Sequence, residues 1–154
     1  MSHSEITVDS LDRKILKLLQ HDSRMPFLEI SKKLDVAPGT IHSRVAKLKD
    51  SGIISGSRIT LDRKKLGYTV TCFIGVKVNR AGSYEEVLQQ LKKLKEIVEI
   101  HYTTGSYSLF LKVIVPFMDD LHILLSKKIQ TIPEISSTES FIVLDSPTER
   151  GITP

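Results

Sequence analysis

A chain of 154 residues makes one domain or two small ones, and its 40% hydrophobic and 26% charged residues are those of an ordinary globular protein. The longest apolar run, Leu109 to Phe117, is interrupted by Lys112 and Pro116, far short of the roughly 18 apolar residues of a spanning helix. Met1 to Glu5 has neither the basic start nor the apolar middle of a secretory signal, and the single cysteine, Cys72, rules out an internal disulfide. These features predict a cytoplasmic protein with a buried thiol.

The charge is unevenly placed. Residues 1–65 hold 13 Lys and Arg against 8 Asp and Glu, a net of +5, whereas residues 66–154 hold 9 against 10, a net of −1. A basic front on a near-neutral rear points to a polyanion as partner of the first half.

In chain order, Leu11, Ile15, Leu18 and Leu19 form the stripe of a first helix, capped by Asp9 or Ser10 and ended at His21-Asp22-Ser23. A second helix starts at Pro26 and carries Phe27, Ile30 and Leu34. After the tight segment Asp35–Gly39, a third carries Ile41, Val45 and Leu48 and stops at Ser51-Gly52. This is a helix-turn-helix pattern braced by a preceding helix, with Ile53 to Leu61 predicted as a small β wing.

From Tyr68 the period becomes two. Val70, Cys72, Ile74, Val76 and Val78 predict a half-buried strand, and Ser83-x-x-Glu86 is a capping-box pattern opening a helix. A second strand places Val98, Ile100 and Tyr102 on one side. A two-residue hairpin turn at Gly105-Ser106 leads to a third strand with Tyr107, Leu109, Leu111, Val113 and Val115. A helix with Leu121, Leu124, Leu125 and Ile129 and a last strand from Ser140 to Leu144 complete the order β-α-β-β-α-β. The expected architecture is α+β: a winged helix-turn-helix domain over residues 1–62, a linker over 63–68, and a ferredoxin-like effector and oligomerisation domain over 69–154.

On a helical wheel at about 100° per residue, the third helix turns Thr40, Ser43 and Lys47 away from its apolar side, with Arg44 beside them and His42 and Lys49 on the flank. Hydroxyls, a guanidinium and an ammonium on one exposed face suit the major groove of double-stranded DNA, with Thr40, Ser43, Arg44 and Lys47, and also His42, placed to meet bases. Lys32, Lys33, Lys49 and Arg58 suit phosphates, which supply affinity without sequence reading. A charged outer face is also what any solvated helix shows; the +5 charge tips the balance toward DNA.

Leu11-Asp12-Arg13-Lys14-Ile15-Leu16, Ile30-Ser31-Lys32-Lys33-Leu34, Val36 to Val45 and Gly52-Ile53-Ile54-Ser55-Gly56, in this order and spacing, resemble the Lrp/AsnC family of transcription regulators. Leu66-Gly67-Tyr68, Cys72-Phe73-Ile74-Gly75, Tyr102 to Ser108 and Lys128 to Ile132 suggest its asparagine-responsive branch. The resemblance runs from about Ser10 to the carboxyl end. It implies homodimers that assemble into tetramers, octamers or helical arrays, with a small amino acid, asparagine, bound between dimers. It further implies an effector site at Gly105 and Ser106, the flanking Tyr102 and Ser108, and Gln130, Ser137 and Thr138. Where many family members carry an acidic residue after the turn, this chain has Ser108. Such a site makes physical sense, because hydroxyls, an amide and turn backbone pair an ammonium and a carboxylate whose unpaired burial costs several kcal/mol.

The five histidines show no metal spacing, and Glu85-Glu86 and Asp119-Asp120 fall in first turns of helices, where negative charge is favoured anyway. Neither a phosphate loop nor a nucleophile elbow occurs, so no enzyme, cofactor, metal or membrane partner is expected. Phe73 and Phe110, on the strand side opposite the helices, call for a second cover, most simply another subunit in a sheet-to-sheet dimer. The competing reading is a nucleoid-associated architectural DNA-binding protein with no effector, which the same basic front would serve.

Overall fold

The computed structural model describes residues 7–79 and 84–154. The chain divides into two compact units: residues up to Thr60 together with Glu149–Pro154, and Leu61–Thr148. The carboxyl-terminal six residues therefore belong to the front unit, where the sequence pattern had assigned them to the rear. The supposed linker is wound rather than extended: the Tyr68 N–H donates to the Arg63 carbonyl at 2.9 Å, and the Lys65 N–H to Asp62 Oδ1 at 3.1 Å.

In the front unit, α1 (Ser10–His21), α2 (Phe27–Leu34) and α3 (Pro38–Asp50) follow the three apolar stripes. Asp9 caps α1 through a reciprocal box: Asp12 N–H to Asp9 Oδ1 at 2.8 Å, and Asp9 N–H to Asp12 Oδ2 at 3.2 Å. The turn between α2 and α3 hinges on Asp35, whose φ of 53° is left-handed; it lets the Val36 N–H reach back to the Ser31 carbonyl at 3.1 Å. Pro38 takes the first helical position of α3, where no N–H is needed. Ile15, Met25, Ile30, Ile41 and Val45 make the core, with Leu11, Leu18, Leu19, Phe27, Leu34, Val36 and Ile54 packed on it.

The predicted wing is not a β element: residues 53–61 form no strand, although the Ile54 N–H to Leu48 carbonyl bond (2.9 Å) pins their start. Ile59 and Leu61 point outward and exposed, so the alternation that suggested a strand has neither a paired neighbour nor a buried side to register on.

In the rear unit, β1 (Val70–Val78), α4 (Tyr84–Leu91), β2 (Ile97–Tyr102), β3 (Leu109–Val115), α5 (Met118–Ile123, continuing as a π-helical stretch Leu124–Ile129) and β4 (Ile135–Ile142) build one four-stranded sheet of order β2-β3-β1-β4. Every neighbouring pair is antiparallel, which is the split βαβ arrangement expected. Ser83, the predicted cap of α4, lies outside the described residues. The helix-facing side, Cys72, Ile74, Val76, Leu109, Leu111, Val113 and Val115, is fully buried against Val87, Leu91, Leu121, Leu124, Ile129 and Ile132. The opposite side carries Phe73, Tyr107, Phe110 and Phe141, linked by ring-centroid separations of 5.8 to 6.4 Å.

Three local expectations are corrected. A register shift between Ile97 and Glu99 breaks the alternation of β2, so Ile97 and Ile100 pack on the core while Val98 and Tyr102 are exposed. The β2–β3 connection is a six-residue loop, Thr103 to Ser108, instead of a two-residue turn; it is closed by Thr103 N–H to the Ser108 carbonyl at 3.2 Å and Thr103 Oγ1–H to the Tyr107 carbonyl at 2.7 Å. The last strand begins at Ile135, five residues before the predicted start, because Ser136 to Glu139 is an edge-strand segment with polar side chains that reads as loop.

Candidate nucleic-acid interface and effector site

Ile41, Val45 and Leu48 seat α3 on the head core and leave His42, Ser43, Lys47 and Lys49 exposed, with Thr40 half-buried. Lys32, Lys33 and Arg58 are exposed as well, so the basic side chains named from the sequence do reach the surface. Three of these residues already have local engagements. The Ser43 hydroxyl donates to the Thr40 carbonyl at 3.1 Å. Lys33 pairs with Glu29 at 3.1 Å across one helical turn, an exposed pair that costs little to break. The His42 ring meets the edge of Phe27 at 5.8 Å, which orients it on the helix surface.

Arg44 stands apart from the other expected base contacts. Its Nη1 donates to Asp12 Oδ1 at 3.0 Å and to Asp9 Oδ2, so its guanidinium is held at the start of α1. The guanidinium lowers the Asp9 carboxyl below its ordinary 3.8, and the two carboxylates raise Arg44 in return. Asp12 is 3% exposed, an acid to which the sequence pattern assigned no structural role. The one signal for its burial was its position three residues before the core residue Ile15, and charge masked it.

The effector candidates gather at one end of the rear sheet. The Ser108 N–H donates to the Val76 carbonyl at 2.9 Å, Val76 stands opposite Thr138, and Gln130 Nε2 donates to Thr138 Oγ1 at 3.1 Å. Loop, central strand, edge strand and helix end thereby meet at this end of the sheet. Gly105 and Ser106 are exposed at the tip of the Thr103–Ser108 loop, where Gly105 has φ 132°. Tyr102 closes β2 opposite Leu109 and packs edge-on against Tyr84 of α4 at 4.8 Å.

The seven residues do not share one face. Thr138 lies with Val76 on the helix-covered side, whereas Ser137 lies opposite Lys77 on the aromatic side. Tyr107, expected in the third strand beside Leu109 and Leu111, instead precedes that strand and joins the aromatic side. It lays its ring over Gly75, where a Cβ would stand 2.7 Å from ring atoms, and Lys77 Nζ, which the sequence pattern did not single out, sits 5.7 Å from the same ring. Glycine inside a buried alternating strand was the available signal for a close approach.

Comparison with known proteins matches each half separately: residues 8–49 to the AsnC-type helix-turn-helix domain, and residues 71–153 to the Lrp/AsnC ligand binding domain. The chain is 49% identical over 147 residues to the regulatory protein AsnC of Haemophilus influenzae, covering 96% of this chain and 98% of that one. It is 48% identical to the regulatory protein AsnC of Escherichia coli K12, covering 96% and 97%. The structure of Escherichia coli AsnC superposes with a TM-score of 0.92 at 47% identity, over 96% of this chain and 99% of that one. A Neisseria meningitidis transcriptional regulator in complex with L-methionine superposes at 0.90 with 21% identity, over 96% and 97%, a likeness of fold alone. A ligand binding domain in the rear half disfavours the effector-free architectural reading, and the relatives are regulators, not enzymes. The chain thus belongs to the Lrp/AsnC family and is a DNA-binding transcription regulator that carries an effector-binding domain.

Proposed function

We propose that this regulator senses asparagine at the sheet end where Ser108, Thr138 and Gln130 meet around the backbone of Val76, and that binding there alters how its assembly holds DNA. The observation that carries the site is the Gln130–Thr138 hydrogen bond, which ties a helix end to the edge strand beside the Thr103–Ser108 loop. None of the seven candidates bears a charge, so amide and hydroxyl groups set the selection. A site of paired donors and acceptors discriminates an amide side chain from analogues lacking it far better than an apolar pocket does. The likeness to proteins named AsnC supports asparagine as the ligand.

On the DNA side, His42, Ser43, Lys47 and Thr40 meet base edges from α3, while Lys32, Lys33, Lys49 and Arg58 meet phosphates. Arg44 acts through Asp9 and Asp12 by fixing α3 against α1, which supports a positioning role in place of base reading.

Assembly follows from the aromatic side of the sheet. Phe73, Phe110 and Phe141 are half-buried or exposed there, with Phe141 42% exposed. A self-complementary apolar face of this kind supports a two-fold dimer. Because Ser137 and Thr138 look to opposite sides of the sheet, a ligand touching both needs a further chain, consistent with a site between dimers of a tetramer, octamer or helical array. Among the described residues no helix is long and apolar enough to cross a membrane, and a regulator of DNA in a bacterial family works in the cytoplasm.

A thermal-shift screen of the free amino acids tests the effector. A ligand at 100 times its dissociation constant adds about 2.7 kcal/mol of stability. Asparagine should stand out, and a flat response across all twenty would remove the assignment.

A further inference from the structure

The front unit has an open groove of about 730 Å³ whose apolar lining includes Leu16, Leu19, Phe27, Ile53 and Ile54. Of α3 only Val45 and Lys49 reach this lining, and Lys49 is the one lining residue shared with the proposed phosphate contacts. One rim of the groove is made by Ile152 and Pro154, residues from the opposite end of the chain. Gln20 Nε2 on α1 donates to the Ile152 carbonyl at 2.9 Å across 132 residues of sequence. Gly151 sits so close to the Gln20 amide that a Cβ there would displace this flexible side-chain end, and with it the hydrogen bond to Ile152. The segment Glu149–Pro154 accordingly belongs to the front unit.

We infer that the carboxyl-terminal segment Glu149–Pro154 is a detachable strap whose seat is the groove between α1 and residues 53–57 of the DNA-binding head. The chain passes between the two units twice, once at Thr60–Leu61 and once at Thr148–Glu149. The second passage begins six residues after Ile142, the end of β4. That strand carries Ser137 and Thr138, so on the effector reading above, ligand contact and strap lie on one continuous stretch of chain. The seat is light at Ile152: its side chain is 86% exposed, and its backbone carbonyl accepts the bond from Gln20. A light seat suits a tie that is made and released, because a contact of this kind is lost at small cost.

Hydrogen exchange on the full chain, on a chain ending at Thr148, and on the full-length Gly151→Val variant tests the seat. The truncated chain and the variant should each show severalfold faster exchange in α1 and in residues 53–57, with β1 and β3 unchanged. Unchanged exchange in α1 in both proteins would overturn the inference, and so would an equal rise in β1 and β3, which would mean global loosening. The tie is tested by adding L-asparagine. The exchange of α1 should respond in the full chain and not in the truncated one, and an identical response in both would overturn the strap as the route. Asparagine that fails to shift the melting temperature at all would refute the effector assignment while leaving the seat to be judged by the first comparison.

Discussion

Arg44, in the middle of α3, donates a hydrogen bond of 3.0 Å to Asp12, in the first turn of α1, and Asp12 is all but buried. The same Nη1 also bonds Asp9, the residue that caps α1. One side chain therefore joins the helix that enters DNA to the helix that braces it. Arg44→Ala would leave a buried carboxylate without its cation, a situation proteins tolerate poorly. The expected result is a melting temperature lowered by several degrees together with weakened operator binding. Arg44→Lys should recover only part of both, because a compact, strongly hydrated ammonium is costlier to bring beside a buried carboxylate than a guanidinium. If Arg44→Ala leaves the melting temperature unchanged while operator affinity falls, the arginine reads bases and the positioning role is wrong.

Lys47→Ala should show the opposite pattern. Lys47 is exposed and stands on the outward side of α3, so its removal should leave thermal stability within about 0.5 kcal/mol. Operator affinity should fall by about 1–3 kcal/mol if the ammonium meets a guanine. Titrating cognate and scrambled duplexes separates the roles, since a phosphate contact weakens both alike and lowers the salt slope by about one.

Tyr107 and Gly75 form a pair that predicts a strongly non-additive response. A Cβ on Gly75 would stand 2.7 Å from the Tyr107 ring, so Gly75→Ala forces the ring off its site. Overpacking of this kind costs about 1–3 kcal/mol. The displaced ring would also disturb Phe110 and Phe141, its neighbours on the face proposed to bury against a second subunit. Tyr107→Ala on the Gly75→Ala background should return much of the lost stability, which a double-mutant cycle reads directly. Simple additivity of the two changes in thermal unfolding would refute the steric account.

These pairs mark the boundary of what the sequence alone conveys. The three head helices and the βαββαβ order were legible because each buries a stripe of the right period, as Ile15, Ile41 and Val45 do in the head and Ile74 and Leu111 do in the sheet. The exposed cations of α3 were legible for the same reason in reverse. Hidden features were those in which a polar group is buried or a period is interrupted. Asp12 carried no periodic sign of burial, the slip at Ile97–Glu99 moved Val98 out of the core, and Ser136 to Glu139 looked like loop while pairing with β1. The seating of Glu149–Pro154 on the head has no periodic signature at all, since the bond that marks it is accepted by the backbone carbonyl of Ile152.

Asp35 carries the turn of the helix-turn-helix in a left-handed conformation, φ 53°. Aspartate tolerates that region, glycine enters it freely, and a β-branched side chain does not. Asp35→Gly should therefore be close to neutral, whereas Asp35→Val should cost about 1–2 kcal/mol. Because Val36 N–H to Ser31 depends on that φ, the valine variant should also bind DNA less well through misplacement of α3. Equal stability of the two variants in chemical denaturation would show that the turn relaxes.

Acid should loosen the rear unit through two carboxylates, and the direction is fixed by their partners. Lys128 bonds Glu96 at 2.7 Å and holds its carboxyl below the ordinary 4.5; Lys112 at 2.9 Å, with His101 beside it, does the same for Glu99. With folded-state values depressed, the unfolded chain takes up protons first as the pH falls. The stabilisation from both pairs is thus complete above about pH 4.5 and is lost progressively below it, through the depressed folded values. Glu96 ties the start of β2 to the end of the π-helical stretch, so Glu96→Gln should lower the melting temperature at pH 7 and flatten its decline between pH 5 and pH 3. Melting curves of wild type and Glu96→Gln that stay parallel down to pH 3 would show that this pair contributes nothing to the acid response.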